Sequence, residues 1–177
     1  MMHAIRLLPA FLFGVDSVLA DGTTITNAIT AIQNATNELA TTVGNWDGDI
    51  LGSLPIIAQS TSLLATINQG TETAKQSATL SDIEALTVGL ATITLVDDVQ
   101  TSLDVIVDAK SKFDSDLLTA VVLLNLEEEK SASLAFSNAV VNTLPESFVE
   151  TGEQLAEEIS TAFDDAISVY SGGILKS

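Results

Sequence analysis

Residues 115–144, SDLLTAVVLLNLEEEKSASLAFSNAVVNTL, decide the fold. Leu117, Val121 and Leu124 form one row at helical spacing, and Leu118, Val122 and Leu126 form a second beside it. After Glu127, Glu128 and Glu129 the pattern resumes with Leu134, Phe136, Val140 and Leu144, so one helix carries a buried half and a half with a wet face. A helix apolar on so much of its circumference must be surrounded, which predicts the central staff of a helical bundle. Asp114 or Ser115 is the expected cap and Pro145 the stop.

Four further helices are expected around it. On the N-terminal side, Val18, Ile25, Ile32, Leu39 and Trp46 recur every seven residues, with Gly22, Ile29, Thr36 and Val43 interleaved. That heptad predicts an amphipathic helix of about thirty residues facing a bundle. A loop at residues 44–49 follows, with Trp46 plugging the end of the core. The second helix tolerates Pro55 in its first turn and turns Ile57, Thr61, Leu64 and Ile67 inward. Ser81 and Glu84 form a capping box for a third, with Leu86, Leu90, Ile93, Val96, Val99, Leu103, Ile106 and Val107 inward and an end near Lys110 and Lys112. The fifth runs from Glu146 through Phe148, Gly152, Leu155, Ile159, Phe163, Ala166 and Tyr170, and Ser171, Gly172 and Gly173 end it. The fold expected is all-α, a five-helix bundle in one domain over residues 15–171, with 1–14 a signal or disordered segment and 172–177 a tail.

Composition narrows the function. Hydrophobic residues make up 46% and charged residues 17%, so the chain can fold. Its 24 acidic against 6 basic residues give a net charge of −18, which repels nucleic acid and anionic membranes. There is no Cys, and the one His, His3, lies in the segment with the form of a secretory signal, Arg6 followed by the apolar residues 7–13. No Gly-x-Ser-x-Gly occurs, so neither an enzyme nor a cofactor is expected. The acidic runs at Asp97, Glu127, Glu157 and Asp164 read as solvated faces, and Asp47-Gly48-Asp49 is too short for a calcium loop, so no metal is expected. Asn34 opens a glycosylation sequon whose Thr36 falls on the inward face. No stretch approaches the roughly 20 apolar residues of a membrane span.

Polar groups such as Thr36, Gln59, Ser60 and Thr61 fall on or beside the wide apolar faces. Two readings stay open on the residues alone: a plain core whose hydroxyls bond back to the preceding turn, or an apolar cavity with a few polar anchors.

The heptad of Ile25, Ile29 and Ile32 after Val18-Leu19-Ala20, the helix start Leu54-Pro55-Ile56-Ile57, residues 124–136 (LNLEEEKSASLAF) and Phe163-Asp164-Asp165-Ala166-Ile167 before Tyr170 occur in order over residues 16–170. In these the chain resembles the fungal hydrophobic surface binding protein A and cell-wall galactomannoprotein family. The resemblance implies a hydrophobic central cavity, which in some members binds long-chain fatty acids such as arachidonate. It implies a secreted or wall-associated protein, and other members are described as adsorbing to hydrophobic surfaces and recruiting a hydrolase. The short signal and the lack of a Ser/Thr-rich tail leave secreted against wall-bound open.

On that reading the protein is expected to be a monomer that sequesters a long-chain fatty acid. The expected lining is Ile32, Thr36 and Leu39 from the first helix, Ile57, Ser60, Thr61 and Leu64 from the second, and Leu86, Leu90 and Ile93 from the third. Leu117, Val121, Leu124, Phe136 and Val140 would come from the fourth, and Phe148, Leu155, Ile159 and Phe163 from the fifth. Gln59, Ser60 and Thr61 are the head-group candidates. A surface-active adhesion protein and a ligand-free wall antigen are the alternatives.

Overall fold

The heptad of the first helix is realised in α1 (Asp21–Asn45), which buries Gly22, Ile25, Ile29, Ile32, Thr36, Leu39 and Val43. The structure is a computed structural model that describes residues 21–174, and the expected signal segment and Val18 lie outside them. Five further helices follow: α2 (Ser53–Gln76), α3 (Asp82–Asp108), α4 (Lys110–Ser115), α5 (Thr119–Val141) and α6 (Glu146–Ile174). No strand occurs among the described residues, and none of their helices is long and apolar enough to cross a membrane.

The expected five helices are therefore six, because the chain breaks before α5. Leu118 N–H donates to the Phe113 carbonyl at 2.9 Å and Leu117 N–H to the Asp114 carbonyl at 3.2 Å, the two bonds that close a helix whose next residue is left-handed. That residue is Leu117, with φ 59°. Residues 115–118 are thus a turn rather than the start of the long helix, and Lys110 and Lys112 sit on α4 rather than ending α3. Left-handed backbone costs a β-carbon about 1–2 kcal/mol, and the Leu117 side chain is 88% exposed, so little packing offsets it. Leu117→Gly is expected to raise stability by roughly 0.5–1 kcal/mol in a urea melt, part of the relief being returned as unfolded-chain entropy.

Each of the five long helices makes its main contacts with two others, in the closed order α1, α2, α5, α6, α3 and back to α1. Ser60 meets Glu129 and Gly70 lies beside Phe136, so α2 and α5 run parallel. At Gly22 a β-carbon would stand 2.6 Å from the Glu84 β-carbon, which explains the glycine inside the heptad: α1 and α3 cross there too closely for a side chain. The Ser81–Glu84 capping box starts α3 as expected. One end of the ring is plugged by Trp46, Phe113 and Tyr170, with ring centroids 4.6 Å and 6.4 Å apart in sequence. The Tyr170 hydroxyl donates to the Ile106 carbonyl at 2.6 Å, and Lys112 donates to the Trp46 carbonyl.

Two helices are rotated from the expected register. α2 buries Ile56, Ser60, Leu63, Ile67, Gly70, Thr71 and Ala74, leaving Ile57 and Thr61 exposed and Leu64 half-buried. The first half of α3 buries Ala85 and Val88 and exposes Leu86, Leu90 and Ile93. Both stripes of α3 are apolar, and the smaller one wins because it permits the close crossing near Gly22. Finally, α6 continues through Gly172 and Gly173 to Ile174. Glycine lowers helix propensity by about 1 kcal/mol per residue but does not forbid helical backbone.

Candidate functional site

The inward faces meet inside the ring, where the described residues enclose three small, mainly apolar pockets that adjoin through shared lining, rather than the single central cavity that the family resemblance implied. The middle one, about 30 Å³, is lined from all five long helices, by Ile32 and Thr36, Leu63 and Ile67, Leu95, Val99 and Ser102, Glu129, Ser133, Phe136 and Ser137, and Ile159 and Phe163. A second, about 50 Å³, lies between α3, α5 and α6 against Val88, Val140, Leu144, Phe148 and Leu155, and shares Phe136 and Ile159 with the first. The third, about 30 Å³, is bounded by Leu39, Ile56, Ser60, Phe113 and Leu126, and shares Ile106 and Glu129 with the first. Glu129 and Phe136 are thus among the side chains that divide one apolar line into three. Each void is water-sized, whereas ligand pockets run to roughly 300–1,000 Å³, so a guest of any length needs these side chains to move.

Among the described residues the one ionisable group on this line is Glu129, 4% exposed, which accepts a hydrogen bond from the Ser60 hydroxyl at 2.6 Å. Burial pushes its carboxyl up to about 7, the Ser60 bond pulls the other way, and the neighbouring Glu128 raises it further. The acidic run therefore divides: Glu127 and Glu128 are exposed as a solvated face, and Glu129 is not. Its burial follows the helical period, since Leu126, Glu129, Ala132, Phe136, Ala139 and Val140 are the buried residues of α5. That spacing is the signal by which the sequence could have singled it out.

Many hydroxyls on the helices do bond back one turn, Thr61 to the Ile57 carbonyl and Thr71 to that of Ile67 among them. Thr36, Ser102, Ser133 and Ser137, on the cavity wall, make no such bond among the described residues.

Of the expected lining, Ile32, Thr36, Phe136, Ile159 and Phe163 meet at the middle cavity, Leu39 and Ser60 at the third, and Val140, Phe148 and Leu155 at the second. Ile57, Thr61, Leu86, Leu90, Ile93, Leu117, Val121 and Leu124 are exposed, and Leu64 packs on the core without lining a cavity. For the turn before α5 and its first half the sequence offered two rows, and Leu118, Val122 and Leu126 are the ones that turn inward. Of the head-group trio only Ser60 lines one of these three cavities. Gln59 lines a separate open groove between α1 and α2 with Asn34, Asn37 and Glu38. Asn34 is exposed while Thr36 of its sequon is 4% exposed. No group of three or more metal-ligating side chains occurs among the described residues.

Comparison with known proteins places this architecture. A solved structure of Afmp4p in complex with palmitic acid is similar over 84% of this chain and 99% of that one, with a TM-score of 0.82 and 30% identity. Ligand binding domain 1 of the Penicillium marneffei MP1 protein, complexed with arachidonic acids, shares the fold at a TM-score of 0.81 over 85% of this chain and 98% of that one, with 16% identity. Cell wall mannoprotein 1 of Aspergillus flavus is 27% identical over 149 residues, 84% of this chain and 54% of that protein. The chain thus spans about half the length of the curated relatives it matches. The model of the family described as hydrophobic surface binding protein A matches residues 22–142, which is most of the ring, and the chain belongs to that family.

Proposed function

We propose that this chain is a secreted or wall-associated, non-catalytic protein that sequesters a long-chain fatty acid inside its helix ring, as a monomer. The observation that carries the reading is the segmented, mainly apolar line through a closed ring of helices, on which the buried Glu129 carboxyl is held by Ser60. The palmitic acid complex of Afmp4p, 30% identical and matched over 84% of this chain, supports the choice of guest. The names of the mannoprotein relatives support the location. Residues 15–171 are the binding unit in this reading, and residues 1–14 a leader.

The energetics allow it. An acyl chain of about 16 to 20 carbons at roughly 0.8 kcal/mol per buried CH₂ offers about 13–16 kcal/mol. Association, side-chain ordering and the opening of the ring remove several kcal/mol, leaving room for micromolar binding or tighter. Titrating delipidated protein with a fluorescent fatty acid is expected to give a saturable signal that unlabelled palmitate displaces. Saturating palmitate at about a hundredfold above its Kd should add about 2.7 kcal/mol of stability. A linear, non-displaceable signal would sink the reading.

A second reading has its own observation. Ile83, Leu86, Leu90 and Ile93 stand 47–80% exposed at helical spacing on α3, an apolar stripe suited to a hydrophobic surface. Leu86→Asp with Leu90→Asp is expected to abolish adsorption to polystyrene beads if the stripe is the contact, and to leave fatty-acid binding intact. A protein showing neither behaviour would be a ligand-free wall antigen.

A further inference from the structure

We propose that Glu129 is the anchor for the ligand's polar end: with the Ser60 hydroxyl beside it, its carboxyl pairs with the fatty-acid carboxyl, the two sharing one proton and carrying one negative charge. This rests on the fatty-acid reading above and adds to it the residue that recognises the head group and a proton linked to binding.

The geometry is particular. Glu129 borders both the middle and the third cavity, so a head group lodged there can send its chain along the axis past Phe136. Among the described residues the side chain has a single hydrogen bond, from Ser60 at 2.6 Å, so its carboxyl retains capacity for another partner. The groups that face it from the other helices are uncharged: Thr36, Ser60, Ser102, Phe113 and Phe163 border the same two cavities. On its own helix the charge acting on it is that of Glu128, and Lys130 is paired at the surface with Asp164 at 2.6 Å. Among the described residues, no cation lines either cavity to neutralise a bound carboxylate. Two ionised carboxylates cannot share so dry a site, and two carboxyls with one proton between them can.

The proton has a defined origin. Free fatty acid is ionised at pH 6 and above, as carboxyls of ordinary pKa are. Glu129, pushed up to about 7 by burial, is mostly protonated at pH 6 and mostly ionised at pH 8. At pH 6 the protein brings the shared proton, and at pH 8 it must be taken from solvent. Affinity for the acid should therefore fall about tenfold from pH 6 to pH 8.

Equilibrium dialysis of delipidated protein against radiolabelled palmitate and hexadecanol, at both pH values, tests this. Hexadecanol donates its own proton to either form of Glu129, so its affinity is expected to be unchanged while that of palmitate falls about tenfold. Calorimetry of palmitate binding at pH 8 in buffers of different ionisation enthalpy should show uptake of about one proton. Glu129→Gln, which supplies an amide donor at every pH, should abolish both the uptake and the slope. Ser60→Ala, in case the first variant folds poorly, should weaken palmitate at both pH values. Saturable palmitate binding with no slope, or with the same slope in Glu129→Gln, overturns the anchor and leaves the fatty-acid reading standing. Hexadecylamine binding more tightly than palmitate at pH 8 also overturns it, since Glu129 would then serve as a counter-ion. No saturable palmitate binding at either pH overturns both.

Discussion

Glu129→Gln is expected to stabilise the unliganded protein by about 3 kcal/mol at pH 8 and to change it little at pH 4. In the folded chain burial lifts the carboxyl from its ordinary 4.5 to about 7. A folded-state pKa above the unfolded one means that the folded chain holds the proton more tightly. The resulting stability is fully present below pH 4.5, declines as pH rises toward 7, and is gone above it. Glutamine has no proton to lose and keeps an oxygen for the Ser60 hydroxyl, so the variant should not share this decline. Thermal melts at pH 4, 6 and 8 would read it as a gap of roughly 6–12 °C at pH 8 that closes toward pH 4. Comparing the two proteins at each pH removes the effect of the −18 net charge, which both feel almost equally. A gap of the same size at all three pH values would show that Glu129 is not the titrating group.

A carboxyl that costs this much stability on a line of apolar side chains needs a reason, and the proposed pairing with a fatty-acid head group would supply one. The same residue shows where the sequence was opaque. Helical period and heptad spacing made α1 and most of α6 legible, down to Ile25, Ile29, Ile32, Phe163 and Tyr170, because on those helices one face is apolar and the other is not. On α3 and α5 both faces are apolar, so period alone could not choose between Leu86, Leu90 and Ile93 and the buried Ala85 and Val88. The choice is made by close packing at Gly22, which is tertiary information. Glu129 was hidden differently: within three consecutive glutamates its charge suggested solvent, while its position three residues after Leu126 and seven before Phe136 placed it inside. The break at Leu117 left no composition signal either, since the left-handed residue is a leucine where a glycine would have announced it.

Phe136→Ala is expected to destabilise the unliganded protein by about 3–5 kcal/mol and to strengthen palmitate binding. Phe136 is 6% exposed, lines both the middle and the second cavity, and packs against Gly70, where a β-carbon would come within 3.1 Å of its ring. Its truncation joins the two voids into one apolar space, whose lining loses contacts the helices can only partly restore by collapsing. The cost should appear as a drop in melting temperature of roughly 6–20 °C. An apolar cavity of this kind stays dry, and one of about 150 Å³ is enough to take a benzene-sized guest. If the acyl chain runs along the ring axis, wild-type binding must first turn the Phe136 ring aside, and the variant has no such requirement. Palmitate should then bind the variant at least several-fold more tightly and raise its melting temperature by more than it raises that of the wild type. Phe136→Leu, which leaves part of the side chain in place, should fall between the two in both measurements. A variant with the same palmitate affinity as the wild type, despite the lowered melting temperature, would mean that the chain does not pass Phe136 and that the second cavity is only a packing defect.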